Sequence, residues 1–244
     1  MASDAQVAIV TGGAGGIGRA IVADLVAHGW EVVSIGRSLP VDPVPGADYE
    51  VADVSIAAQV DAAVGNALDR LGRIDGLVTS AAILRAAPLH ETTDELWDEV
   101  MAINVKGTFL ACRAVLPAML SAGRGAILNL SSVHAEATIA GTAAYAASKG
   151  AIISLSRQLA VEYADYGIRA NSLVVGSVDT SMSTTHLAAI ERDGVVINPP
   201  AGRIGRMAQP EEIARAARFL LTDDASFITG SAIRIDGGLL SSLM

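Results

Sequence analysis

The sequence is poor in aromatic residues, in basic residues and in cysteine, and these shortages exclude several classes of protein. Only 4% of its 244 residues are aromatic, and 17 lysines and arginines stand against 26 aspartates and glutamates. The formal net charge of −9 argues against binding of nucleic acid, because phosphate binding needs a concentrated basic surface. We therefore expect an aliphatic core and a small-molecule partner rather than a nucleic acid.

The chain also lacks the features of a secreted, membrane-bound or metal-binding protein. Its single cysteine, Cys112, cannot form an internal disulfide bond, and its first residues show no basic segment followed by an apolar stretch. No run approaches about 18 uninterrupted apolar residues, the length that a membrane-spanning helix needs. We therefore expect a cytoplasmic protein without a membrane partner. No metal is expected either, because ligand spacing is absent among His28, His90, His134 and His186.

Short apolar runs alternate with longer segments of helical periodicity along the whole chain, a rhythm typical of repeated βαβ units. It predicts a single α/β domain over residues 1–244, with a Rossmann fold whose doubly wound, seven-stranded parallel sheet carries helices on both faces. The predicted strands are Val7–Thr11, Glu31–Gly36, Tyr49–Ala52, Gly76–Thr79, Ala126–Leu130, Arg169–Val174 and Ala232–Ile235. The predicted helices are Gly16–His28, Ala57–Leu71, Glu95–Ser121 with a kink at Pro117, Ala144–Tyr163 and Pro210–Leu221.

Between Asp179 and Arg206 the periodicity weakens into serine, threonine, glycine and a Pro199-Pro200 pair. Such a segment is typical of a surface excursion that forms a lid, so we expect a substrate loop at about 179–206. Its apolar residues predict a moderately apolar substrate. They are Met182, Leu187, Ile190, Val195, Val196 and Ile197.

A glycine-rich segment joins the first predicted strand to the first predicted helix, and it reads Thr11-Gly12-Gly13-Ala14-Gly15-Gly16-Ile17-Gly18. Glycines at this junction let the backbone approach a pyrophosphate, while the free N–H groups of the helix face the anion. The segment predicts a dinucleotide site, and an ordinary tight turn is the alternative. The candidate cofactor-binding residues here are Gly12, Gly15, Gly16, Ile17 and Gly18.

The end of the second predicted strand bears on the choice between NAD and NADP. It reads Gly36-Arg37-Ser38 and carries no carboxylate for the adenosine ribose, whereas a basic residue accommodates the extra phosphate of NADP. Arg37 therefore favours NADP slightly, although it is equally consistent with a solvated charge, and Asp42 could fold back onto the ribose. After the third strand, Asp53 and Val54 are candidates for the adenine, with a helix N-cap role open for Asp53.

Tyr145 and Lys149 stand four positions apart at the start of a predicted helix, so their side chains share one face. A tyrosine with a pKa of about 10 is a poor base at neutral pH, and a nearby ammonium group favours the phenolate. We therefore expect Lys149 to lower the pKa of Tyr145. For these two residues taken alone, an ordinary surface pair is the alternative.

With these motifs in order and spacing, the sequence resembles the short-chain dehydrogenase/reductase family over essentially all 244 residues. The glycine segment is similar to the family's cofactor loop, and Tyr145 with Lys149 is similar to its active-site helix. Ser132, thirteen positions before Tyr145, and Asn104 match the other two members of its catalytic tetrad. The resemblance implies an NAD(P)-dependent oxidoreductase that transfers a hydride between nicotinamide and a secondary alcohol or ketone.

The resemblance also implies roles for individual residues. Tyr145 would exchange the substrate proton, Ser132 would orient the substrate oxygen, Lys149 would hold the nicotinamide ribose, and Asn104 would seat a water for the proton relay. Further cofactor contacts are implied at Ala81, Val178 and Thr180. Gly176 and His134 would line the substrate pocket, with plain packing equally open for His134.

A homotetramer is implied as well. The long helices Glu95–Ser121 and Ala144–Tyr163 would pack across one interface. Apolar residues at the C-terminus fit a second contact, namely Leu239, Leu240 and Leu243, with a mobile tail as the alternative.

Two departures from the family pattern stand beside this resemblance. Thr79-Ser80-Ala81-Ala82 occupies the place of Asn-Asn-Ala-Gly, which is expected to weaken an asparagine bond to the central sheet and to add a methyl group beside the cofactor. Val175 stands in place of a proline. Neither change removes a group that does chemistry, so an active enzyme is the main expectation. A non-catalytic dinucleotide-binding scaffold or sensor is the alternative.

Overall fold

The computed structural model describes residues 5–183 and 202–241, which build one seven-stranded sheet. The strands are β1 (Val7–Thr11), β2 (Glu31–Gly36), β3 (Ala47–Val51), β4 (Gly76–Thr79), β5 (Gly125–Ser132), β6 (Ile168–Val175) and β7 (Ala232–Ile235). Neighbouring strands all pair in parallel, in the order β3-β2-β1-β4-β5-β6-β7. Four strands have the predicted bounds, and β3, β5 and β6 differ by one or two residues at their ends.

Helices cover both faces of the sheet. They are α1 (Gly16–Ala27), α2 (Ala57–Leu71), α3 (Asp94–Met101), α4 (Gly107–Ala122), α5 (Ala143–Tyr163) and α6 (Pro210–Leu221). One apolar cluster joins α1 and α6 to the first face, and another joins α2, α4 and α5 to the second. The predicted doubly wound Rossmann architecture is therefore confirmed.

The sequence of β1 shows why its strand is apolar throughout. Ala8 and Val10 pack against the α1 and α6 layer, whereas Ile9 between them packs against the opposite layer. Successive side chains of a strand point to opposite faces, so a strand covered on both sides has no solvent-facing positions. All three residues are fully buried, and truncating Ile9 to alanine would cost about 2–5 kcal/mol of stability.

Helix α1 accounts for two features of its sequence. Asp24, which interrupts the apolar face of α1, accepts a hydrogen bond from Nε of Arg218 in α6 at 2.8 Å. The pair ties together the two helices that cover the first face of the sheet. The helix ends just before Gly29, whose φ of +82° is the left-handed conformation of a helix stop.

The long helix that the periodicity predicts at Glu95–Ser121 is helical from Asp94 to Ala122, but it contains a π-helical turn at Ala102–Lys106. This irregularity lies well before Pro117, where the sequence predicts a kink. By length and mean hydropathy the whole helix could cross a membrane. Half of its apolar stretch is buried within the protein, as is usual for a helix in a protein core.

Candidate active site

The carboxyl ends of the strands border a cleft of about 420 Å³. It lies where β1 and β4 are neighbours while their chains continue to opposite sides of the sheet, the place where open α/β sheets bind ligands. Most of the residues predicted from the sequence line this cleft, namely Gly12, Gly15, Gly16, Ile17, Arg37, Asp53, Val54, Ala81, Ser132, Tyr145, Lys149, Gly176, Val178 and Thr180. Gly18, Asn104 and His134 lie outside its lining.

The turn after β1 depends on glycine at two positions. Gly12 has a φ of +75°, and a Cβ atom there would lie 2.6 Å from the backbone nitrogen of Ala81. A Cβ atom on Gly18 would lie 2.3 Å from the carbonyl oxygen of Gly12. The glycines therefore allow the turn, the loop after β4 and the start of α1 to pack in direct backbone contact.

The same turn leaves room for an anion at the start of α1. A Cβ atom on Gly15, the N-cap residue, would meet no atom of the described residues within 4 Å, and none of their side chains caps the helix. Uncapped N–H groups at a helix N-terminus attract a phosphate. The open backbone cradle between Gly12 and Gly18 therefore fits the pyrophosphate of a dinucleotide.

The other end of the cleft carries Arg37 and Asp53. Among residues 5–183 and 202–241 no carboxylate lies within ion-pair distance of the exposed Arg37 side chain, which contributes only a weak attraction to Asp53. Oδ1 of Asp53 accepts hydrogen bonds from the amide and the hydroxyl of Ser55, and these bonds lower the pKa of its carboxyl. Asp42 forms an ion pair with Arg19 instead of folding back onto the cleft.

Ser132 and Tyr145 meet at the inner end of the cleft. Ser132 is the last residue of β5, and Tyr145 lies in the first turn of α5. Burial raises the pKa of Tyr145 to about 12, and a hydrogen bond with Ser132 offsets part of this rise. The Tyr145 phenol is therefore protonated at neutral pH, and it lies next to the Ser132 hydroxyl.

Lys149 lies one turn further along α5, and its ammonium group lies over the Tyr145 ring while it bonds a backbone carbonyl. Nζ donates a hydrogen bond to the carbonyl oxygen of Leu130 at 2.9 Å and lies 5.5 Å from the centre of the Tyr145 ring. Burial lowers the pKa of Lys149 to about 8. Burial of the phenol dominates its pKa, and the expectation that Lys149 favours the phenolate stays a prediction.

Asn104 lies outside the cleft lining and connects two of the elements that border the cleft. In the π-helical turn, its Oδ1 accepts a hydrogen bond from the amide of Ile83 at 2.8 Å, and its Nδ2 donates to the carbonyl of Ile83 and to Oγ of Ser148. Oγ of Ser148 donates in turn to the carbonyl of Tyr145 at 2.7 Å. Both N–H groups of Asn104 are thus used in tying the loop after β4 to α5.

The residues predicted for the substrate side have different surroundings. Gly176 lines the cleft, and a Cβ atom on it would lie 2.7 Å from Cα of Asp236. The His134 ring instead meets the Tyr145 ring edge to face, with 5.5 Å between centres and 79° between planes. Thr180, which is predicted for the cofactor, lines the cleft, and its hydroxyl also lies 3.2 Å from Oγ of Ser183.

Thr79, the first residue of the departure from the family pattern, belongs to a buried polar network. Oγ1 of Thr79 donates to Oδ1 of Asn129 in β5 at 2.8 Å, and Nδ2 of Asn129 donates to Oγ of Ser156 in α5 at 3.0 Å. All three side chains are buried. Sequence reasoning missed this network, although an asparagine between Leu128 and Leu130 in an apolar strand was a signal for it.

Part of the predicted substrate loop lies outside the described residues. Residues 184–201 are not described, and these include Leu187, Ile190, Val195, Val196 and Ile197; the same holds for Leu243. Met182 is described, and it lines the cleft. Within the described ranges, no group of three or more His, Cys, Asp or Glu residues is arranged to hold a metal ion.

Comparison with known proteins finds similarities over nearly the whole chain. The family model described as enoyl-(acyl carrier protein) reductase matches residues 12–240. The 2-(S)-hydroxypropyl-CoM dehydrogenase 3 of Xanthobacter autotrophicus is 38% identical over 245 residues, covering 96% of each chain. The 2-(R)-hydroxypropyl-CoM dehydrogenase of the same organism is 38% identical over 246 residues, covering 95% of this chain and 97% of that protein.

A solved structure extends the likeness to the whole fold. The gluconate 5-dehydrogenase of Burkholderia cenocepacia, in complex with NADP and tartrate, is 32% identical with a TM-score of 0.87. The alignment covers 99% of this chain and 97% of that one.

Proposed function

The chain belongs to the short-chain dehydrogenase/reductase family, and from this premise we propose that Ser132, Tyr145 and Lys149 carry its reaction. It is an NAD(P)-dependent oxidoreductase that transfers a hydride between nicotinamide and a secondary alcohol or ketone. The observation that carries the assignment of residues is the convergence of these three side chains in one cleft with the Gly12–Gly18 turn.

The dinucleotide, when bound, supplies or accepts the hydride. The backbone cradle between Gly12 and Gly18 and the start of α1 would hold its pyrophosphate, and Val178 and Thr180 would hold its nicotinamide end. Lys149, whose pKa of about 8 leaves it largely charged at neutral pH, would hold the nicotinamide ribose. The carbonyl of Leu130 accepts a hydrogen bond from the Lys149 ammonium group and fixes that group at the cleft.

Tyr145 moves the proton. In ketone reduction, the protonated phenol donates its proton to the substrate oxygen as the carbonyl carbon gains a hydride, and a secondary alcohol results. Because burial raises the pKa of Tyr145, the phenol carries the proton that this direction needs at neutral pH. In alcohol oxidation the phenolate takes the hydroxyl proton, and positive charge near the phenol favours that form.

Ser132 and Asn104 support this transfer. The Ser132 hydroxyl, beside the phenol, donates to the substrate oxygen and stabilises the charge that develops on it. Because both side-chain N–H groups of Asn104 are already bonded, any water of a proton relay would have to bind one of its oxygen atoms. The amide itself fixes α5 relative to the loop after β4.

The substrate is a small-molecule alcohol or ketone, and the preferred cofactor is NADP. The support for NADP is the exposed Arg37 guanidinium at the cleft and the absence of an acid in Gly36-Arg37-Ser38. Asp42 gives no opposing argument, because it is paired with Arg19. A moderately apolar substrate remains our prediction, with Gly176 beside the reacting group.

We further propose one domain over residues 1–244, a homotetramer and a cytoplasmic location. Exposed apolar side chains on α4 and α5, Phe109, Leu120 and Val161, support an interface between long helices. The buried, free thiol of Cys112 fits a reducing compartment. Light scattering coupled to gel filtration measures the assembly directly, and a monomer would refute the tetramer.

Replacing Tyr145 with phenylalanine tests the assignment. A panel of secondary alcohols and ketones is assayed at 340 nm with NADH and NADPH separately, for the wild type, Tyr145→Phe and the matched control Tyr166→Phe. We expect Tyr145→Phe to lose roughly 10²–10⁴-fold in kcat while its cofactor Kd changes less than twofold. Tyr166 is exposed and outside the cleft, so the control should behave as wild type.

The same assay addresses the non-catalytic alternative. A scaffold or sensor would bind the dinucleotide without turnover of any panel member, in the wild type as well as in the variant. That alternative rests on the replacement of the family asparagine. Since Thr79 still bonds Asn129 across β4 and β5, no described contact favours it.

A further inference from the structure

We infer that His134 is a positioning residue, which holds Tyr145 against Ser132 through its ring and locks the loop between them. The inference rests on the proposed role of Tyr145 as the acid/base and goes beyond it. The sequence leaves a pocket-lining role and a packing role equally open for His134, and its ring lies outside the cleft lining and against the phenol. Its contacts explain what it does there.

His134 touches both of the residues that handle the substrate oxygen. Its backbone N–H donates to Oγ of Ser132 at 3.3 Å, and its ring meets the Tyr145 ring edge to face at 5.5 Å. Edge-to-face pairs are attractive and directional. The imidazole thus covers one side of the phenol and restricts the directions in which the Tyr145 ring can tilt away from Ser132.

A chain of hydrogen bonds fixes the imidazole in turn. Nδ1 of His134 lies 2.9 Å from Oγ1 of Thr138, which lies 2.9 Å from Oγ1 of Thr142, and Thr142 donates to the carbonyl of Ile139 at 3.0 Å. One arrangement of protons satisfies all three contacts: Thr142 donates to Ile139, Thr138 donates to Thr142, and Nδ1 of His134 donates to Thr138. Oγ1 of Thr142 also lies 3.5 Å from Nδ1 of His134.

These hydrogen bonds extend along the loop that connects β5, which carries Ser132, to α5, which carries Tyr145. His134 lies two residues after the end of β5, and Thr142 immediately precedes α5. The hydrogen bond at Nδ1 holds the orientation of the imidazole ring. The loop at 133–142 therefore holds the start of α5, and Tyr145 with it, at one distance from Ser132.

Three variants separate the contributions of the ring and the hydrogen bond. His134→Ala removes both, His134→Phe keeps an aromatic edge against Tyr145, and Thr138→Val removes the hydroxyl that holds Nδ1. His90→Ala is the matched control, because its side chain is exposed and pairs with Glu91. Each protein is melted thermally and assayed for kcat, for the KM of both substrates and for the pH dependence of kcat.

We expect His134→Ala to lower kcat about tenfold, which corresponds to about 1.4 kcal/mol, with the cofactor KM within twofold. His134→Phe should keep kcat within about threefold, and Thr138→Val should fall between the two. The titratable groups that face Tyr145 are Lys149 on its own helix and His134 on the loop. Because burial raises the pKa of Tyr145, water admitted by His134→Ala should move the limb of the pH profile that belongs to Tyr145 to lower pH.

A merely structural histidine would lower the melting temperature without moving that limb. The inference is overturned if His134→Ala keeps the wild-type kcat and pH profile, or if His134→Phe loses as much as His134→Ala. Should His134→Ala fail to fold, Thr138→Val takes its place. The inference is then overturned if Thr138→Val keeps the wild-type kcat and pH profile, or if His134→Phe loses as much kcat as Thr138→Val. Tyr145→Phe separates the two levels, since its turnover would refute the proposed function, whereas an inactive Tyr145→Phe beside a fully active His134→Ala refutes only the positioning role.

Discussion

Adding one methyl group at Gly12 should destabilise the folded protein, whereas the same methyl group at Gly15 should not. Gly12 has a φ of +75°, and its Cβ would lie 2.6 Å from the backbone nitrogen of Ala81. Gly15 has a φ of −164°, which any residue adopts, and its Cβ would meet no described atom within 4 Å. The two alanine variants therefore differ in backbone strain and backbone contact while their chemistry is identical.

The cost at Gly12 has two parts. A left-handed conformation costs an alanine about 1–2 kcal/mol, and forcing a methyl group into a filled space costs about 1–3 kcal/mol. The sum of about 2–5 kcal/mol corresponds to a fall in Tm of roughly 4–20 °C for a chain of this size. Relief of the clash must move the loop at Ala81, which lines the cleft, so cofactor affinity should fall as well.

Differential scanning fluorimetry gives the Tm, and quenching of protein fluorescence by NADPH gives the Kd. We expect Gly12→Ala to melt well below the wild type and to bind NADPH at least tenfold more weakly. Gly15→Ala should keep its Tm within about 2 °C. Equal Tm values of the two variants, or wild-type affinity in Gly12→Ala, would refute the account of the turn.

Three further predictions follow from buried or exposed groups. Thr79→Val removes the donor to Oδ1 of Asn129, so urea unfolding should show a loss of about 1–3 kcal/mol, with Thr79→Ser as the control that retains it. Lys149 has a pKa lowered by burial from 10.5 to about 8, so between pH 8 and 10.5 the unfolded chain binds more protons than the folded one. Stability should therefore rise with pH in that window relative to Lys149→Met, and parallel curves would contradict this. Arg37→Glu should lower the ratio of kcat/KM for NADPH to that for NADH at least tenfold, while Arg157→Glu, exposed and outside the cleft, should leave it unchanged; an unaltered ratio in Arg37→Glu would remove the argument for NADP.

The elements of the fold were predictable because local patterns and burial agree. An apolar run such as Val7–Thr11 reads as a strand that is buried on both faces, and Gly29 reads as a helix stop. The π-helical turn was not predictable, since Ala102–Lys106 contains no residue that breaks a helix. It is the side chain of Asn104, bonded to Ile83 and Ser148 on other elements, that accompanies this irregularity.

The candidate site likewise has features that the sequence predicts and features that it does not. Spacing placed Tyr145 and Lys149 on one face of α5, and the family resemblance singled out Ser132, which ends β5. Spacing could not foresee that the carbonyl of Leu130, on a different element, takes the ammonium group of Lys149. Nor could it show that His134 turns its ring towards the phenol, because the bonds that orient it involve Thr138 and Thr142 in an irregular loop.

A crystal structure with NADPH bound tests most directly whether Ser132, Tyr145 and Lys149 form the reaction centre of this protein. We predict the pyrophosphate on the turn from Gly12 to Gly18 and the nicotinamide ring beside the Tyr145 phenol, with Lys149 on the ribose. A nicotinamide ring bound away from these three side chains would contradict the account.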